Sequence, residues 1–157
     1  MARKSRANNV LILSDAKNMM WKAGLYSRLS VEDGDDTEQN SIGNQKKIGR
    51  HYLVDKTDIV LADTYSDSGC TGMDFERPDF KRMIGDIRSG RINCVIVKDI
   101  SRLGRHFVMT SNYVERIFPE MGVRLICIND GYDSSAPDAD SSALTLPLKM
   151  VMNDYYV

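Results

Sequence analysis

The chain of 157 residues lacks long hydrophobic runs, paired cysteines and a surplus of positive charge. Its apolar runs are far shorter than the ~20 residues that span a bilayer, so a membrane protein is not expected. The three cysteines show no C-x-x-C spacing, which disfavours a metal site or disulfide framework and favours a reducing, cytoplasmic setting. The net charge of −1 is not that of a self-sufficient DNA-binding domain. A role on nucleic acid would need local charge or a further part of the protein.

The apolar content of 42% is enough for the core of one domain of ordinary size. Residues 1–20 have no sustained period and are predicted to be a flexible tail, whereas residues 21–140 are predicted to form the folded domain. In residues 141–157, apolar side chains recur at helical spacing with no glycine after them to end the helix. We therefore expect this stretch to be the start of a longer helix.

Strand and helix patterns alternate through the predicted domain. The predicted strands are 22–26, 59–65, 94–97 and 123–128, and the predicted helices are 41–55, 78–89 and 107–121. A short edge strand is expected after Asn129-Asp130-Gly131. The alternation predicts an α/β fold in three layers, with a mostly parallel sheet of four to five strands and helices on both faces.

Two polar clusters follow predicted strands. Tyr26-Ser27-Arg28-Leu29-Ser30 ends the first strand, and a cluster that runs from Lys98 to Arg105 follows the third. Because the carboxyl ends of parallel strands converge on one crevice, we expect the two clusters to lie together. Two hydroxyls that flank an arginine suggest a nucleophile beside a phosphate ligand. Ser27 is the rival of Ser30, but along a strand it points away from Arg28.

Five motifs occur in order, and together they resemble those of the serine recombinases, the resolvase and invertase superfamily. The motifs are Tyr26-Ser27-Arg28-Leu29-Ser30, Gln45, Asp67-x-Gly69-x-Thr71-Gly72, Arg77-Pro78 and Ser101-Arg102-Leu103-Gly104-Arg105. The resemblance runs from about Lys22 to Tyr156 and is nearest to the large, often transposon-borne members. It implies a resolvase-like catalytic domain.

The resemblance also implies a reaction and its residues. Ser30 would attack DNA to form a 5′-phosphoserine bond while a 3′-hydroxyl leaves, and strand exchange and rejoining would follow without ATP. The implied catalytic residues are Ser30, Arg28, Arg77, Arg102 and Arg105, and the implied supporting residues are Gln45, Asp67, Thr71, Lys98 and Ser101. The implied partner is double-stranded DNA, bound by a homodimer that assembles to a tetramer. No cofactor or metal is implied.

Elementary chemistry agrees with the implied roles. An alcohol that attacks a phosphodiester needs the charge on the phosphoryl oxygens neutralised, and arginine side chains do this bidentately. With several fixed cations no metal is required, and the sequence shows no carboxylate or histidine spacing typical of a two-metal site. His51 and His106 lie singly, so a Ser-His triad has no support.

One position departs from the family pattern. Many resolvases have an aspartate directly before the Arg-Leu-Gly-Arg core, whereas this chain has Ser101. The departure leaves the groups that transfer protons unassigned. Asp67 is acidic, but neither it nor a histidine is placed by sequence as general acid or base.

Several of these residues also have ordinary structural readings. Ser30 could cap a helix or loop, and Gln45 could lie on the surface rather than orient the serine loop. Arg102 and Arg105 could belong to a solvated helix start, where their charge would oppose the helix dipole. Arg77 could be only a loop residue, and Lys98 could be an ion-pair partner of Asp63 or Asp67.

Two other protein classes remain as alternatives. A response-regulator receiver is also doubly wound, and Asp63 and Asp67 could form its acidic cluster, but it would leave the arginines unexplained. A catalytically inactive, architectural DNA-binding homologue is the second alternative, against which the intact Ser30 and arginines argue.

Overall fold

The computed structural model describes residues 19–29, 41–68, 77–104, 106–139, 146 and 149. In this part of the chain five strands form one sheet in the order β2-β1-β3-β4-β5. The strands are β1 (Trp21–Leu29), β2 (Ile59–Ser68), β3 (Cys94–Val97), β4 (Arg124–Cys127) and β5 (Tyr132–Asp133). β1 pairs with β2 and β3 in parallel, β3 pairs with β4 in parallel, and β5 is antiparallel to β4.

The helices of the described residues connect these strands. They are α1 (Ile42–Leu53), α2 (Pro78–Arg88), α3 (Ile100–Leu103), α4 (Phe107–Asn112) and α5 (Phe118–Glu120), with a π-helical turn, Tyr113–Ile117, between α4 and α5. Local sequence explains where the two longest begin and end. Ser41 caps α1 by accepting a hydrogen bond from the Asn44 N–H at 3.0 Å. Pro78 begins α2, and Gly90, with φ of 78°, follows its end.

The core lies on both faces of the sheet. All four residues of β3 are buried, as expected for a strand covered on both sides. The larger cluster joins α2, α4 and α5 to one face, and it includes Phe80, Met83 and Phe118. The smaller cluster joins α1 to the other face, where Leu25 packs against Gly49 so closely that a Cβ at Gly49 would clash. The predicted three-layer α/β architecture is therefore confirmed.

The bounds of three predicted elements differ from the structure. β1 continues to Leu29 and β2 to Ser68 because the two strands pair through those residues, so Asp67 and Ser68 lie in a strand rather than in the predicted loop. The helix predicted for residues 107–121 contains the π-helical turn, in which the Phe118 N–H bonds the Tyr113 carbonyl. Pro119 follows directly, and it has no N–H to donate to the preceding turn.

Most residues of the two predicted terminal segments lie outside the described residues. Leu146 and Lys149 are described; both have helical backbone, and Leu146 is buried in the larger core cluster. Whether residues 141–157 begin a longer helix stays a prediction, as does the flexible tail. Among the described residues, no helix has the length and apolar character needed to cross a bilayer.

Candidate active site

The sheet brings Arg28 and Asp67 together. They are neighbours in the β1–β2 register, and each lies one residue before the last residue of its strand. α3 begins shortly after the end of β3, which lies on the other side of β1. The two clusters that follow predicted strands therefore converge at one edge of the sheet, as their sequence positions suggest.

The side chain of Arg28 is held by the backbone of α3. Its Nη2 donates to the carbonyl of Ser101 at 2.7 Å, and its Nε donates to the carbonyl of Arg102 at 3.3 Å. The residue is 0% exposed. A guanidinium in a fixed fork geometry suits this site because two neighbouring carbonyls of one helical turn present two acceptors.

Gln45 fixes the main chain of Arg28. Its Oε1 accepts from the Arg28 N–H at 3.1 Å, and its Nε2 donates to the Arg28 carbonyl at 3.0 Å. Nη1 of Arg102 donates to the same carbonyl at 2.9 Å. Gln45 is buried, so the reading of Gln45 as an ordinary surface residue is wrong. Its amide orders the strand two residues before Ser30.

Arg77 also donates to the carbonyls at the end of α3, and it shares the Arg102 carbonyl with Arg28. Its Nη1 donates to the Arg102 carbonyl at 3.4 Å and its Nη2 to the Leu103 carbonyl at 2.5 Å. The guanidinium also lies over two aromatic rings, at 5.3 Å from the Tyr26 centroid and 4.8 Å from the Phe80 centroid. Arg77 is 1% exposed. Arg77 directly precedes α2 and is therefore buried against α3 rather than solvated in a loop.

Carboxylates contact the start of α3, and guanidiniums contact its end. At its start, Asp99 accepts from the Ser101 N–H at 3.0 Å and also contacts the Ser101 hydroxyl, while Asp130 accepts from the Ile100 N–H at 2.8 Å. At its end, the carbonyls face the guanidiniums of Arg28 and Arg77. Both placements agree with the helix dipole. The reading of Arg102 as a solvated residue of a basic helix start is wrong: Arg102 is 5% exposed and lies in the last turn.

Asp67 links β2 to the start of α2. Its carboxylate accepts from the Tyr26 hydroxyl at 2.9 Å and from the backbone N–H groups of Asp79 and Phe80, each at 3.0 Å. Burial raises the pKa of Tyr26 well above its ordinary value, an effect that neighbouring Arg77 opposes and Asp67 reinforces. Tyr26 is therefore protonated at neutral pH and donates to Asp67. Asp67 thus supports both the helix that follows Arg77 and the ring beneath its guanidinium.

Three of the predicted site residues lie outside the described residues: Ser30, Thr71 and Arg105. The rival hydroxyl of Ser27 is fully buried, and among the described residues its Oγ has no hydrogen-bond partner. Lys98 directly follows β3 and is partly buried. Of its two suggested partners, Asp63 forms ion pairs with Arg82 at 2.9 Å and Arg91 at 3.1 Å.

Three residues near the site have structural roles that the sequence analysis did not assign to them. Tyr26, Asp99 and Asp130 each accept or donate a hydrogen bond that orders the arginines or α3. Asp99 could have been found, because an aspartate directly before a short helical pattern is a typical N-cap. The role of Asp130 could not be predicted from neighbouring residues, because its partner Ile100 lies 30 residues away.

Comparisons with known proteins show what this chain is similar to. The family model "Resolvase, N terminal domain" matches residues 23–155. The N-terminal catalytic domain of TP901-1 integrase is 27% identical with a TM-score of 0.67, covering 86% of this chain and 95% of that one. A resolvase family site-specific recombinase from Streptococcus pneumoniae is 27% identical with a TM-score of 0.60, covering 87% and 91%.

The fold recurs in a more distant structure. The C-terminal catalytic domain of ISC1926 TnpA, an IS607-like serine recombinase, is 17% identical with a TM-score of 0.56, covering 83% of this chain and 80% of that one. A comparison with curated proteins gives no match. The receiver alternative finds no support in these matches, and the chain belongs to the resolvase N-terminal domain family as a serine recombinase catalytic domain.

Proposed function

We propose that this domain cleaves and rejoins DNA through Ser30 in site-specific recombination. The Ser30 Oγ attacks a backbone phosphorus and gives up its proton, the new Oγ–P bond forms as the P–O3′ bond breaks, and O3′ takes up a proton to leave as the 3′-hydroxyl. The product is a 5′-phosphoserine linkage. A 3′-hydroxyl of another strand then attacks this linkage, which restores a phosphodiester and frees Ser30. The number of phosphoester bonds is unchanged in each step, so no ATP is needed.

The observation that carries this proposal is the convergence of three buried arginines on one short helix. Arg28, Arg77 and Arg102 come from separate elements, and the first two share the Arg102 carbonyl. Phosphoryl transfer requires charge stabilisation of the phosphoryl oxygens far more than covalent chemistry from the protein. Arginine is suited to it because its planar fork matches two oxygens at once. Ser30 follows Arg28 by two residues.

The burial of these guanidiniums adds a requirement. Exposures of 0% for Arg28, 1% for Arg77 and 5% for Arg102 leave no room for a phosphodiester to touch them in this conformation. We therefore expect DNA engagement to be accompanied by a local rearrangement that turns part of the arginine cluster toward the phosphate. Such a closed resting site would also limit cleavage away from an assembled complex.

The two carboxylates described beside the arginines, Asp67 and Asp99, hold neighbouring backbone and side-chain groups in place. Asp67 accepts three hydrogen bonds and supports Tyr26 and α2, which favours a positioning role over that of a general base. Asp99 is engaged with Ser101 at the start of α3. We propose that Arg105 and Thr71 complete the site with Lys98 and Ser101, in the supporting roles that the family resemblance implies.

The partners follow from the family. We propose that the domain acts on double-stranded DNA as a homodimer that assembles to a tetramer, in the cytoplasm, and that it does not recognise the recombination site by itself. The net charge of −1 supports the last of these points, because base-specific recognition by a domain of this charge would lack the usual electrostatic contribution.

The test is Ser30→Ala in the full-length protein, assayed on a supercoiled plasmid with two recombination sites. We expect cleavage to be abolished while site binding and folding are unchanged, because only the attacking oxygen is removed. Ser27→Ala is the matched control and should retain cleavage, since Ser27 is fully buried. Cleavage by the Ser30 variant at the wild-type rate would remove Ser30 from the mechanism. Absence of any covalent adduct in the wild-type protein would favour the architectural alternative.

A further inference from the structure

Helix α1 has an unusual distribution of charge. It carries Lys46, Lys47, Arg50 and His51 but no acidic residue, and the next carboxylate, Asp55, lies past its end. Helix α2 is different, because Asp79 and Asp86 lie among its basic residues and both pair with Arg82. In a chain with net charge −1, α1 is therefore a local concentration of positive charge.

The cations of α1 lie away from the sheet. Gln45 and Gly49 form the buried side of the helix. At about 100° per residue, Lys47 and Arg50 lie on the opposite side and Lys46 on its flank. Lys47, Arg50 and His51 are exposed, and Lys46 is partly exposed. Within the part of the chain that the structure describes, none of the four forms an ion pair. We call these four residues the α1 basic face.

The α1 basic face begins beside the candidate active site. Gln45 binds the main chain of Arg28, and Lys46 and Lys47 are the next two residues of the same helix. A rise of about 1.5 Å per residue puts Arg50 about 7.5 Å along the axis from Gln45. One DNA strand advances about 3.4 Å along the duplex axis per phosphate. The face therefore extends over a length of about two phosphates from the site.

Stabilisation of the helix explains only part of this pattern. Arg50 and His51 lie in the last turn, where cations favour the helix dipole. Lys46 and Lys47 lie mid-helix, where that effect has largely decayed. No described carboxylate offers them an intramolecular partner. Their chemistry fits an external polyanion close to the site.

We propose that the α1 basic face binds the phosphate backbone of the DNA segment next to the scissile phosphate. This inference rests on the proposed function, because it takes the ligand to be the DNA that Ser30 cuts. The contacts are with phosphates and so carry no base specificity. They would hold the duplex in register over the arginine cluster while its arginines are rearranged.

The test measures binding of a nonspecific duplex by the whole 157-residue chain as a function of salt concentration. The test variant is Lys47→Gln/Arg50→Gln, since glutamine keeps a good helix propensity while removing charge. The control is Arg88→Gln/Arg116→Gln, which also removes two exposed charges from helical segments, but on the other face of the sheet. Every protein carries Ser30→Ala, so that only equilibrium binding is measured.

We expect the slope of log K against log salt to fall in magnitude by about 1.8 for the α1 variant, at ~0.9 per lost phosphate contact. Affinity at about 0.1 M salt should fall by ~10-fold per contact. The control should keep the wild-type slope. An unchanged slope in the α1 variant, tighter binding, or an equal change in the control would overturn the inference. Since binding needs no cleavage, the absence of a Ser30 adduct in the wild-type protein, measured separately on DNA, would count against the proposed function alone.

Discussion

Gln45→Leu tests how strongly the site depends on the fixed main chain of Arg28. Leucine fills a similar volume, but it removes the acceptor of the Arg28 N–H and one donor to the Arg28 carbonyl. A buried N–H left without an acceptor costs about 1–3 kcal/mol. The carbonyl loses less, because Arg102 still donates to it at 2.9 Å. We expect the free energy of unfolding to fall by about 2–3 kcal/mol in total.

The assay is urea denaturation of the chain followed by circular dichroism, with the denaturant slope compared between variants. His51→Leu is the matched control, since His51 is exposed on the same helix and substitutions there should stay within about 0.5 kcal/mol. The variant should also slow single-turnover DNA cleavage by at least about tenfold, or ~1.4 kcal/mol, at a temperature where it is folded. Wild-type stability together with wild-type cleavage would refute the assigned role of Gln45.

Three further predictions concern charge, packing and metal. Arg28→Lys and Arg102→Lys should each lose cleavage by ~100-fold or more, by analogy with the 2.7–4 kcal/mol typical of one lost electrostatic donor; near-wild-type rates would show that these side chains only pack. Gly49→Ala should lower the free energy of unfolding by about 1–3 kcal/mol through its clash with Leu25. Gly43→Ala should not lower it, because a Cβ there would meet only the Ser41 Oγ, at an ordinary contact distance of 3.9 Å; equal stabilities of the two variants would contradict the close packing of α1. A metal chelator should leave cleavage by the full-length protein unaffected, and a loss that added Mg²⁺ restores would contradict the arginine-based mechanism.

The order of strands and helices could be predicted because the signals are local. Four apolar residues at Cys94–Val97, Pro78 at a helix start and Gly90 after its end each specify their element from a few neighbouring residues. The lengths of the strands were predicted less accurately than their order. The ends of β1 and β2 depend on pairing through Leu29 and Ser68, which lie far apart in sequence.

The sequence predicted that the two polar clusters lie together, but it did not predict the contacts within them. The motifs name Arg28, Arg77 and Arg102, but they do not indicate that the carbonyls of a four-residue helix bind the guanidiniums. That arrangement depends on the packing of α3 against β1. The support of Tyr26 by Asp67 likewise requires two strands in register.

The most direct test of the central claim is to locate the covalent link. Wild-type full-length protein is reacted with a two-site DNA substrate, denatured during cleavage, and digested with nuclease and trypsin before mass spectrometry. Cleavage after Lys22, Arg28 and Lys46 separates the two candidate serines, with Ser27 in peptide 23–28 and Ser30 in peptide 29–46. We expect a nucleotide on peptide 29–46, with fragmentation assigning it to Ser30. A nucleotide on peptide 23–28, or on Ser41 or Thr37 of peptide 29–46, would contradict the assignment of Ser30 as the nucleophile.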